Sequence, residues 1–167
     1  KPSDLGFDDG KFILPKLIIN RHTVTPTLTK PEHLFNLPAV GLQEEREERR
    51  RSLPDRVERC SEIVNAESVP FVCWCNLNDE GDLLEQKISG AVQIAGSDTD
   101  ERKEQVFRDF ASGQIRVLVT KPTIAGFGLN WQHCNRQTFF PTHSFEQWYQ
   151  AIRRCYRFGQ TKDVTVD

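Results

Sequence analysis

The sequence predicts an α/β protein in which a mostly parallel sheet is covered by helices on both faces. Short apolar runs alternate with helical patterns from residue 70 onward. The predicted strands are "FVCWC" (71–75), "AVQIAG" (91–96), "IRVLVT" (115–120), "QTFF" (137–140) and "DVTVD" (163–167). Their apolar residues are nearly continuous, which is typical of parallel strands buried on both faces. The 167 residues are 37% hydrophobic and 28% charged, enough for one domain with a core.

Helical patterns fill the intervals between these strands. The predicted helices are "SLPDRVERCSEIVNA" (52–66), "DEGDLLEQKI" (79–88), "DTDERKEQVFRDFASG" (98–113) and "SFEQWYQAIRRCYRF" (144–158). In the first helix, Ser52 is the expected N-cap and Pro54 lies in the first turn. The apolar stripe expected to face the core is Leu53, Val57, Cys60 and Val64.

The chain divides into a lead-in and a main domain. Residues 1–40 hold five of the nine prolines and predict an extended inter-lobe segment, with one strand at "KLIIN" (16–20). The highly charged "LQEEREERRR" (42–51) predicts a solvated helical linker. Residues 41–167 form the main domain, which we expect to be cut at its C-terminal end.

Composition excludes several classes of function. The net charge of -2 argues against attraction of the whole surface to nucleic acid or membrane, so any basic site must be local. Five cysteines without a CxxC pair argue against a disulfide framework and for a reducing cytoplasm. No signal peptide or membrane span is apparent. Cys73 and Cys75 share a strand face that we expect in the core, and the spacing of His133 and Cys134 fits no zinc pattern, so no metal site is expected.

The stretch "QAIRRCYRFGQ" (150–160) concentrates three arginines in the last predicted helix. Ser144 and Gln147 form a capping-box start, and Gly159 is the expected C-terminal stop. A turn of 100° per residue puts two arginines and a glutamine on one side, opposite an expected core face. The first set is Gln150, Arg154 and Arg157, and the core face is Phe145, Trp148, Ile152 and Cys155. Arginine forks suit phosphate oxygens, although helical geometry alone favours a solvated face.

Two other stretches are candidate sites. "AGFGLN" (125–130) follows a predicted strand, and its two glycines either bring the backbone close to a phosphate or nucleic-acid strand or make a tight turn. "DEGD" (79–82) resembles an acidic metal-binding box, but Asp79 and Glu80 are better placed in the first turn of a helix. No GxxxxGK[ST] phosphate loop occurs in the sequence.

Two of these motifs together resemble a known family. "VLVTKPTIAGFGLNWQHC" (117–134) and "SFEQWYQAIRRCYRFGQ" (144–160) are similar to motifs V and VI of superfamily 2 helicases, and most similar to the Swi/Snf-related, phage-type DEAD/DEAH-box helicases. "KPSDLGF" and "RRRSLPDRVE" also resemble that phage-type group. The resemblance implies a second, C-terminal RecA-like lobe. A first lobe, absent from this sequence, would carry the phosphate loop and the acidic box.

The resemblance also implies roles for single residues. Arg157 would be the arginine finger, and Arg154 its partner on the nucleotide phosphates. Gln150, Gly126, Gly128 and Asn130 would belong to the nucleotide-binding motifs, whereas Thr120, Lys121 and, more weakly, Asn76 would lie near nucleic acid. Two departures affect this transfer. Arg153 stands where Swi/Snf relatives usually have Asp, and Pro122 interrupts motif V.

These observations lead to an expected function and an alternative. We expect the C-terminal motor lobe of an ATP-dependent DNA helicase or translocase, bacterial or phage-derived and cytoplasmic, with DNA and the first lobe of the same polypeptide as partners. ATP and Mg²⁺ would be held mainly by the first lobe, so this chain alone should be monomeric and inactive. The alternative is a non-catalytic nucleic-acid-binding or partner-docking module with the same fold. A Rossmann-like enzyme with its own nucleotide is disfavoured by the missing glycine fingerprint.

Overall fold

The computed structural model describes residues 2–10, 13–27, 41–125 and 129–167. The strands are β1 (Leu17–Ile19), β2 (Phe71–Trp74), β3 (Ala91–Gln93), β4 (Val117–Thr120), β5 (Arg136–Phe139) and β6 (Val164–Val166). The helices are α1 (Leu42–Arg51), α2 (Leu53–Asn65), α3 (Asn78–Lys87), α4 (Asp100–Ala111) and α5 (Phe145–Ile152), and a short 3₁₀ helix spans Pro2–Leu5. Every strand and helix predicted from the sequence is present, with differences in length.

The six strands form one sheet in the order β1-β6-β5-β2-β4-β3. All five strand pairs are parallel, which confirms the predicted sheet. The connection from β2 leads outward past β4 to β3, and the connection after β4 returns across β2 to β5. The chain therefore reverses its direction of travel around β2. Sites in open parallel sheets lie outside the carboxyl ends of the strands at such a reversal.

Both faces of the sheet are covered, because successive strand residues point to opposite sides. Phe71 and Cys73 of β2 pack in a core formed with α2 and α3. Val72 and Trp74 pack in a second core formed with α4 and the segment before β5. Trp131 is fully buried in this second core, 6.0 Å from Trp74 between ring centroids.

The predicted stripe of α2 is confirmed, since its four residues are all buried: Leu53, Val57, Cys60 and Val64. Ser52 occupies the N-cap position of α2 as predicted, and its carbonyl oxygen accepts from the Arg56 backbone N–H at 3.0 Å. Its side chain does not cap the helix, because the hydroxyl donates to the Glu48 carbonyl oxygen at 2.7 Å and accepts from the Arg56 side chain at 3.2 Å. Gly113 follows α4 with φ of 80°, the left-handed conformation expected after a helix end.

The lead-in contributes an edge strand to the sheet. β1 pairs in register with β6, Leu17 opposite Val164 and Ile19 opposite Val166. The backbone N–H of Asn20 donates to the Val166 carbonyl oxygen at 2.9 Å, which extends the pairing by one bond. The predicted boundary at residue 40 stays a prediction, but the sheet itself draws strands from both sides of it.

The last helix is shorter than predicted, because α5 ends at Ile152 and not at residue 158. Residues 153–159 form successive turns, in which Arg154 N–H bonds to Ala151 and Cys155 N–H bonds to Ile152. The Arg154 carbonyl oxygen accepts from the backbone N–H of Trp131 at 2.9 Å. In a longer helix this carbonyl group would accept a hydrogen bond from within the helix. Here it bonds to a distant loop, so a tertiary contact overrides the helical sequence pattern of residues 153–158.

The predicted core face of α5 is also partly wrong. Phe145 is 73% exposed and Trp148 is only half-buried, whereas Ala151, Ile152 and Cys155 are buried. The predicted N-cap is confirmed, since the Ser144 hydroxyl accepts from the Gln147 backbone N–H at 3.2 Å. The second bond of a capping box is not formed, because the Ser144 backbone N–H donates to the Thr142 hydroxyl at 3.3 Å. In the described part of the chain, none of the helices has the length and apolar character needed to cross a membrane.

Candidate functional site

The carboxyl ends of β5, β2 and β4 lie side by side, and Asn76 joins the first two. Its side-chain amide donates to the carbonyl oxygens of Phe140 at 2.9 Å and Pro141 at 3.1 Å. These bonds fix the segment after β5 that leads into α5. The geometry gives Asn76 a structural use, and its contact with nucleic acid stays a prediction.

Thr120 and Lys121 stand at the end of β4, where they have different environments. Thr120 is fully buried, and its hydroxyl oxygen has no hydrogen-bond partner among the described residues. Lys121 is half-buried, and its ammonium group donates to the Asn78 side-chain oxygen at 2.6 Å. Lys121 therefore lies over the start of α3, at the carboxyl-end edge of the sheet where we expect contacts with nucleic acid. The Thr120 side chain does not reach the surface in this structure.

The acidic stretch after β2 begins a helix, as predicted from the sequence. Asp79 and Glu80 both lie in the first turn of α3. Glu80 is fully buried and accepts from the backbone N–H groups of Asn76 at 2.8 Å and Leu77 at 3.0 Å. Its other oxygen forms an ion pair with Arg56 of α2 at 2.8 Å. Both oxygens of this carboxylate are therefore engaged by groups inside the protein.

The turns after α5 contact the segment that follows the glycine loop. Besides the bond from Trp131 to the Arg154 carbonyl, the Arg157 guanidinium donates to the Leu129 carbonyl oxygen at 3.4 Å. Gly126 and Gly128 lie outside the described residues. Leu129 and the exposed Asn130 come directly after them in the chain. The two stretches that the sequence singled out are therefore neighbours in space.

Gln160 holds this contact together, and sequence reasoning did not select it. Its buried side-chain amide donates to the carbonyl oxygens of Gln132, Cys134 and Cys155 at 3.0, 3.1 and 3.2 Å. Its oxygen accepts from the backbone N–H groups of Thr161 and Lys162, both at 3.0 Å. A side chain that joins distant backbone groups produces no periodic pattern in the sequence. The one sequence signal for this role of Gln160 was its place at the end of the "RFGQ" stretch.

The arginines are more enclosed than predicted. Arg154 is only 8% exposed, so the expectation that it faces solvent is wrong, and Arg157 and Gln150 are half-buried. The pKa of Arg154 is lowered, first by burial and then by the nearby positive charge of Arg157. Within the described ranges, neither guanidinium forms an ion pair with a carboxylate. Two adjacent guanidinium groups with no acidic partner favour an anion from outside.

The five cysteines are buried thiols. Burial, assisted by the Glu80 charge, raises the pKa of Cys75 to about 12, so its thiol stays protonated at neutral pH. Burial also lowers the pKa of His133, which lies against the Phe110 ring at 4.9 Å between centroids. No group of His, Cys, Asp or Glu side chains in the described ranges is arranged to hold a metal ion.

The parallel sheet, its two helical layers and the arginines beside a strand-end loop define a RecA-like α/β lobe. The family model "Helicase conserved C-terminal domain" matches residues 55–159, and the chain belongs to this family. The match includes β2 to β5, α5 and the turns of residues 153–159, which we call the arginine turns. The resemblance to helicase C-terminal lobes is therefore confirmed. The phage-type subgroup stays a prediction.

Curated relatives match parts of the chain at about one-third identity. The DNA repair protein RAD5 of Yarrowia lipolytica is 32% identical over 105 residues, which cover 61% of this chain and 10% of that protein. The bifunctional helicase and thymine dioxygenase JBP2 of Leishmania braziliensis is 31% identical over 80 residues, covering 44% of this chain and 7% of that protein. The match therefore spans a tenth or less of these relatives.

Solved structures agree with the fold. The C-terminal part of the Fun30 ATPase domain aligns with a TM-score of 0.58 and 18% identity, covering 71% of this chain and 40% of that chain. The Mycobacterium smegmatis helicase Lhr, bound to single-stranded DNA and AMP-PNP, aligns with a TM-score of 0.62 and 15% identity, covering 91% of this chain and 19% of that chain. At these identities the likeness shows the RecA-like fold alone.

Proposed function

We propose that this chain is the C-terminal motor lobe of an ATP-dependent DNA helicase or translocase. The observation that carries the proposal is the pair Arg154 and Arg157, enclosed side by side and without an acidic partner among the described residues. An anion that approaches this pair gains charge-assisted hydrogen bonds and relieves the repulsion between the two cations. A nucleotide phosphate bound by another lobe fits that requirement.

In this mechanism the chain contributes to hydrolysis by positioning charge. Arg157 stabilises the negative charge that develops on the transferred phosphoryl group, which is a contribution on the order of a thousandfold or more in rate. Arg154 binds the neighbouring phosphate oxygens, and Gln150 supplies a polar contact beside them. The segment through Gly126, Gly128 and Asn130 links the nucleotide to nucleic acid, and lobe closure brings the arginines into place.

The residues of this chain fit the phosphates of ATP better than they fit its metal ion. The arginine pair suits phosphate oxygens, whereas both oxygens of the buried Glu80 carboxylate are engaged, one by Arg56 and the other by two backbone N–H groups. We therefore assign Mg²⁺ and most of the ATP contacts to a first lobe of the same polypeptide. Mg²⁺ would neutralise phosphate charge there.

DNA is the proposed polymer. The names of two relatives support it, one as a DNA repair protein and one as a helicase. On this chain, Lys121 offers a positive charge at the strand-end edge, with Asn76 close by. Thr120 would need a local rearrangement to bring its unpartnered hydroxyl to a phosphate. A cytoplasmic location and a bacterial or phage origin stay predictions.

The test replaces Arg157 in a polypeptide that joins this chain to a phosphate-loop lobe. Both Arg157→Ala and Arg157→Lys should lower kcat of DNA-stimulated ATP hydrolysis by about a hundredfold or more, because lysine keeps the charge but loses the planar fork. DNA affinity without nucleotide, measured by fluorescence anisotropy, should change little.

Two comparisons make this test decisive. Arg108→Ala, at an exposed position on α4, removes the same charge and should leave hydrolysis unchanged. The chain of residues 1–167 alone should release no phosphate from ATP. Parent-like hydrolysis by Arg157→Lys, or a loss of DNA affinity alone in Arg157→Ala, would reject the finger. The arginines would then be assigned to contacts with the phosphate backbone of nucleic acid.

A further inference from the structure

Three side chains of α5 and its C-terminal end form a stacked column on one helix face. Phe145, Tyr149 and Arg153 follow at intervals of four residues, which aligns them along the helix. The rings of Phe145 and Tyr149 stack at 6.1 Å between centroids with 28° between planes. The Arg153 guanidinium lies 5.7 Å from the Tyr149 ring and 5.9 Å from the Tyr156 ring. We call Phe145, Tyr149 and Arg153 the α5 column.

The exposure of this column has no packing explanation within the described residues. Phe145 is 73% exposed and Tyr149 is 44% exposed, although buried aromatic rings are what usually stabilise a domain. The helix instead buries the smaller Ala151 and Ile152 against the sheet. Phe145 also borders a cavity of about 600 Å³, together with Trp148 and Arg21. Two adjacent solvent-facing rings beside a cavity are typical of a binding surface.

The charge around the column favours a polyanion. Arg153 supplies the positive charge of the column, because the two other arginines of residues 144–160 lie elsewhere. Arg154 is buried, and Arg157 contacts the Leu129 carbonyl oxygen. Arg153 forms no ion pair with a carboxylate of the described chain. A guanidinium that is held flat against aromatic rings keeps its edge free for phosphate oxygens. The column therefore presents flat apolar faces and an uncompensated positive charge in one row.

We propose that the α5 column is a stacking platform for the bases of single-stranded nucleic acid, with Arg153 bound to the adjoining phosphate. Exposed aromatic rings interleaved with arginine are the arrangement by which proteins bind single strands without reading sequence. An apolar protein partner would satisfy the two rings but would leave the charge of Arg153 uncompensated. The inference rests on the proposed function for its class of ligand, nucleic acid, and assigns a second place on the chain where that ligand binds.

The experiment titrates the chain of residues 1–167 with short oligothymidylate and follows tryptophan fluorescence. Trp74 and Trp131 are buried, whereas Trp148 is half-buried and lies 5.6 Å from Phe145 between centroids, so it should report binding at the column. We expect quenching by oligothymidylate, and affinity about tenfold or more lower for an abasic oligonucleotide of the same length.

Variants then separate stacking from charge. Tyr149→Ala should weaken binding of oligothymidylate about tenfold but barely affect the abasic strand, and Tyr149→Phe should keep the parent affinity because the ring remains. Arg153→Ala should weaken both strands and reduce the salt dependence by about one unit of slope. Matched controls are Phe7→Ala, which removes another exposed ring, and Arg108→Ala, which removes another exposed charge.

Several results would overturn the platform. Equal affinity for the abasic strand would show that binding depends on phosphate contacts and not on stacked bases. Unchanged binding by Tyr149→Ala would show that the strand binds away from the α5 column. Adenosine monophosphate that binds as tightly as the oligonucleotide would make the column a mononucleotide site. A chain that self-associates in solution and becomes monomeric with Phe145→Ala would make it a protein interface. None of these results depends on Arg157, so the proposed function stands or falls separately.

Discussion

At the scale of single residues, the sequence around Glu80 allows two different interpretations. Its place in "DEGD" after a strand resembles a metal-binding box, and the carboxylate is instead fully buried. It satisfies the backbone N–H groups at the start of α3 and pairs with Arg56, which itself lies 4.9 Å from the Phe140 ring centroid. The first-turn position was predictable from local sequence, but Arg56 is 24 residues away and could not be inferred.

Glu80→Ala should therefore destabilise the chain by about 3–5 kcal/mol, because it leaves Arg56 and two N–H groups without their partner. Asp79→Ala, one residue earlier in the same turn, removes an exposed carboxylate and should cost about 1 kcal/mol or less. Urea unfolding followed by circular dichroism measures both. Equal effects of the two substitutions, or stabilisation of the parent by Mg²⁺ that Glu80→Ala abolishes, would revive the metal-binding interpretation.

At the scale of elements, the contact between the turns after α5 and the loop after Ala125 decides where the arginines lie. A regular helix to residue 158 would have put Arg154 and Arg157 on its outer face. The structure ends the helix at Ile152, and the following turns bond to Leu129 and Trp131. Gln160 then joins three carbonyl oxygens from both stretches.

Gln160→Met tests this arrangement, since methionine keeps the side-chain volume but forms none of the five hydrogen bonds. We expect a loss of about 2–4 kcal/mol of stability, because three backbone carbonyl groups each lose a hydrogen-bond donor. The backbone N–H of Trp131, which bonds to Arg154, should exchange with deuterium faster in the variant. Gln114→Met is the matched control, because Gln114 is exposed and its side-chain amide bonds only to Ser112 among the described residues. Parent-like exchange at Trp131 would show that the turns hold without Gln160.

The elements themselves were predictable because each rests on a local pattern. The apolar runs gave β2 and β4, and the stripe through Val57 and Cys60 gave α2. The site was predictable only as two stretches of sequence, since nothing local encodes the bond between Trp131 and Arg154. Arg154 is enclosed where this tertiary contact forms, and Phe145 is exposed at the start of α5. The sequence pattern predicted the opposite for both residues.

At the scale of the whole molecule, the proline-rich lead-in belongs to the sheet. β1 covers the edge of β6, and the Tyr156 hydroxyl donates to the Pro15 carbonyl oxygen at 3.0 Å. Thr27 also bonds to Asp55 of α2, its hydroxyl at 2.6 Å. The lead-in is therefore attached to the sheet edge, to the arginine turns and to α2, although its sequence pattern predicts a linker.

A chain that begins at Gly41 should be less stable than the parent by on the order of 2–4 kcal/mol, because it loses the β1 ladder and exposes Val164 and Val166. An uncovered β6 edge should also promote association between molecules, since its backbone groups are free to pair. Urea unfolding and size-exclusion chromatography measure the two effects. The control chain begins at Ile13, which removes the 3₁₀ helix but keeps β1, and should match the parent in both assays. If the chain from Gly41 were as stable and monomeric as the control, the domain would begin at residue 41 as the sequence predicted, and β1 would be a dispensable attachment.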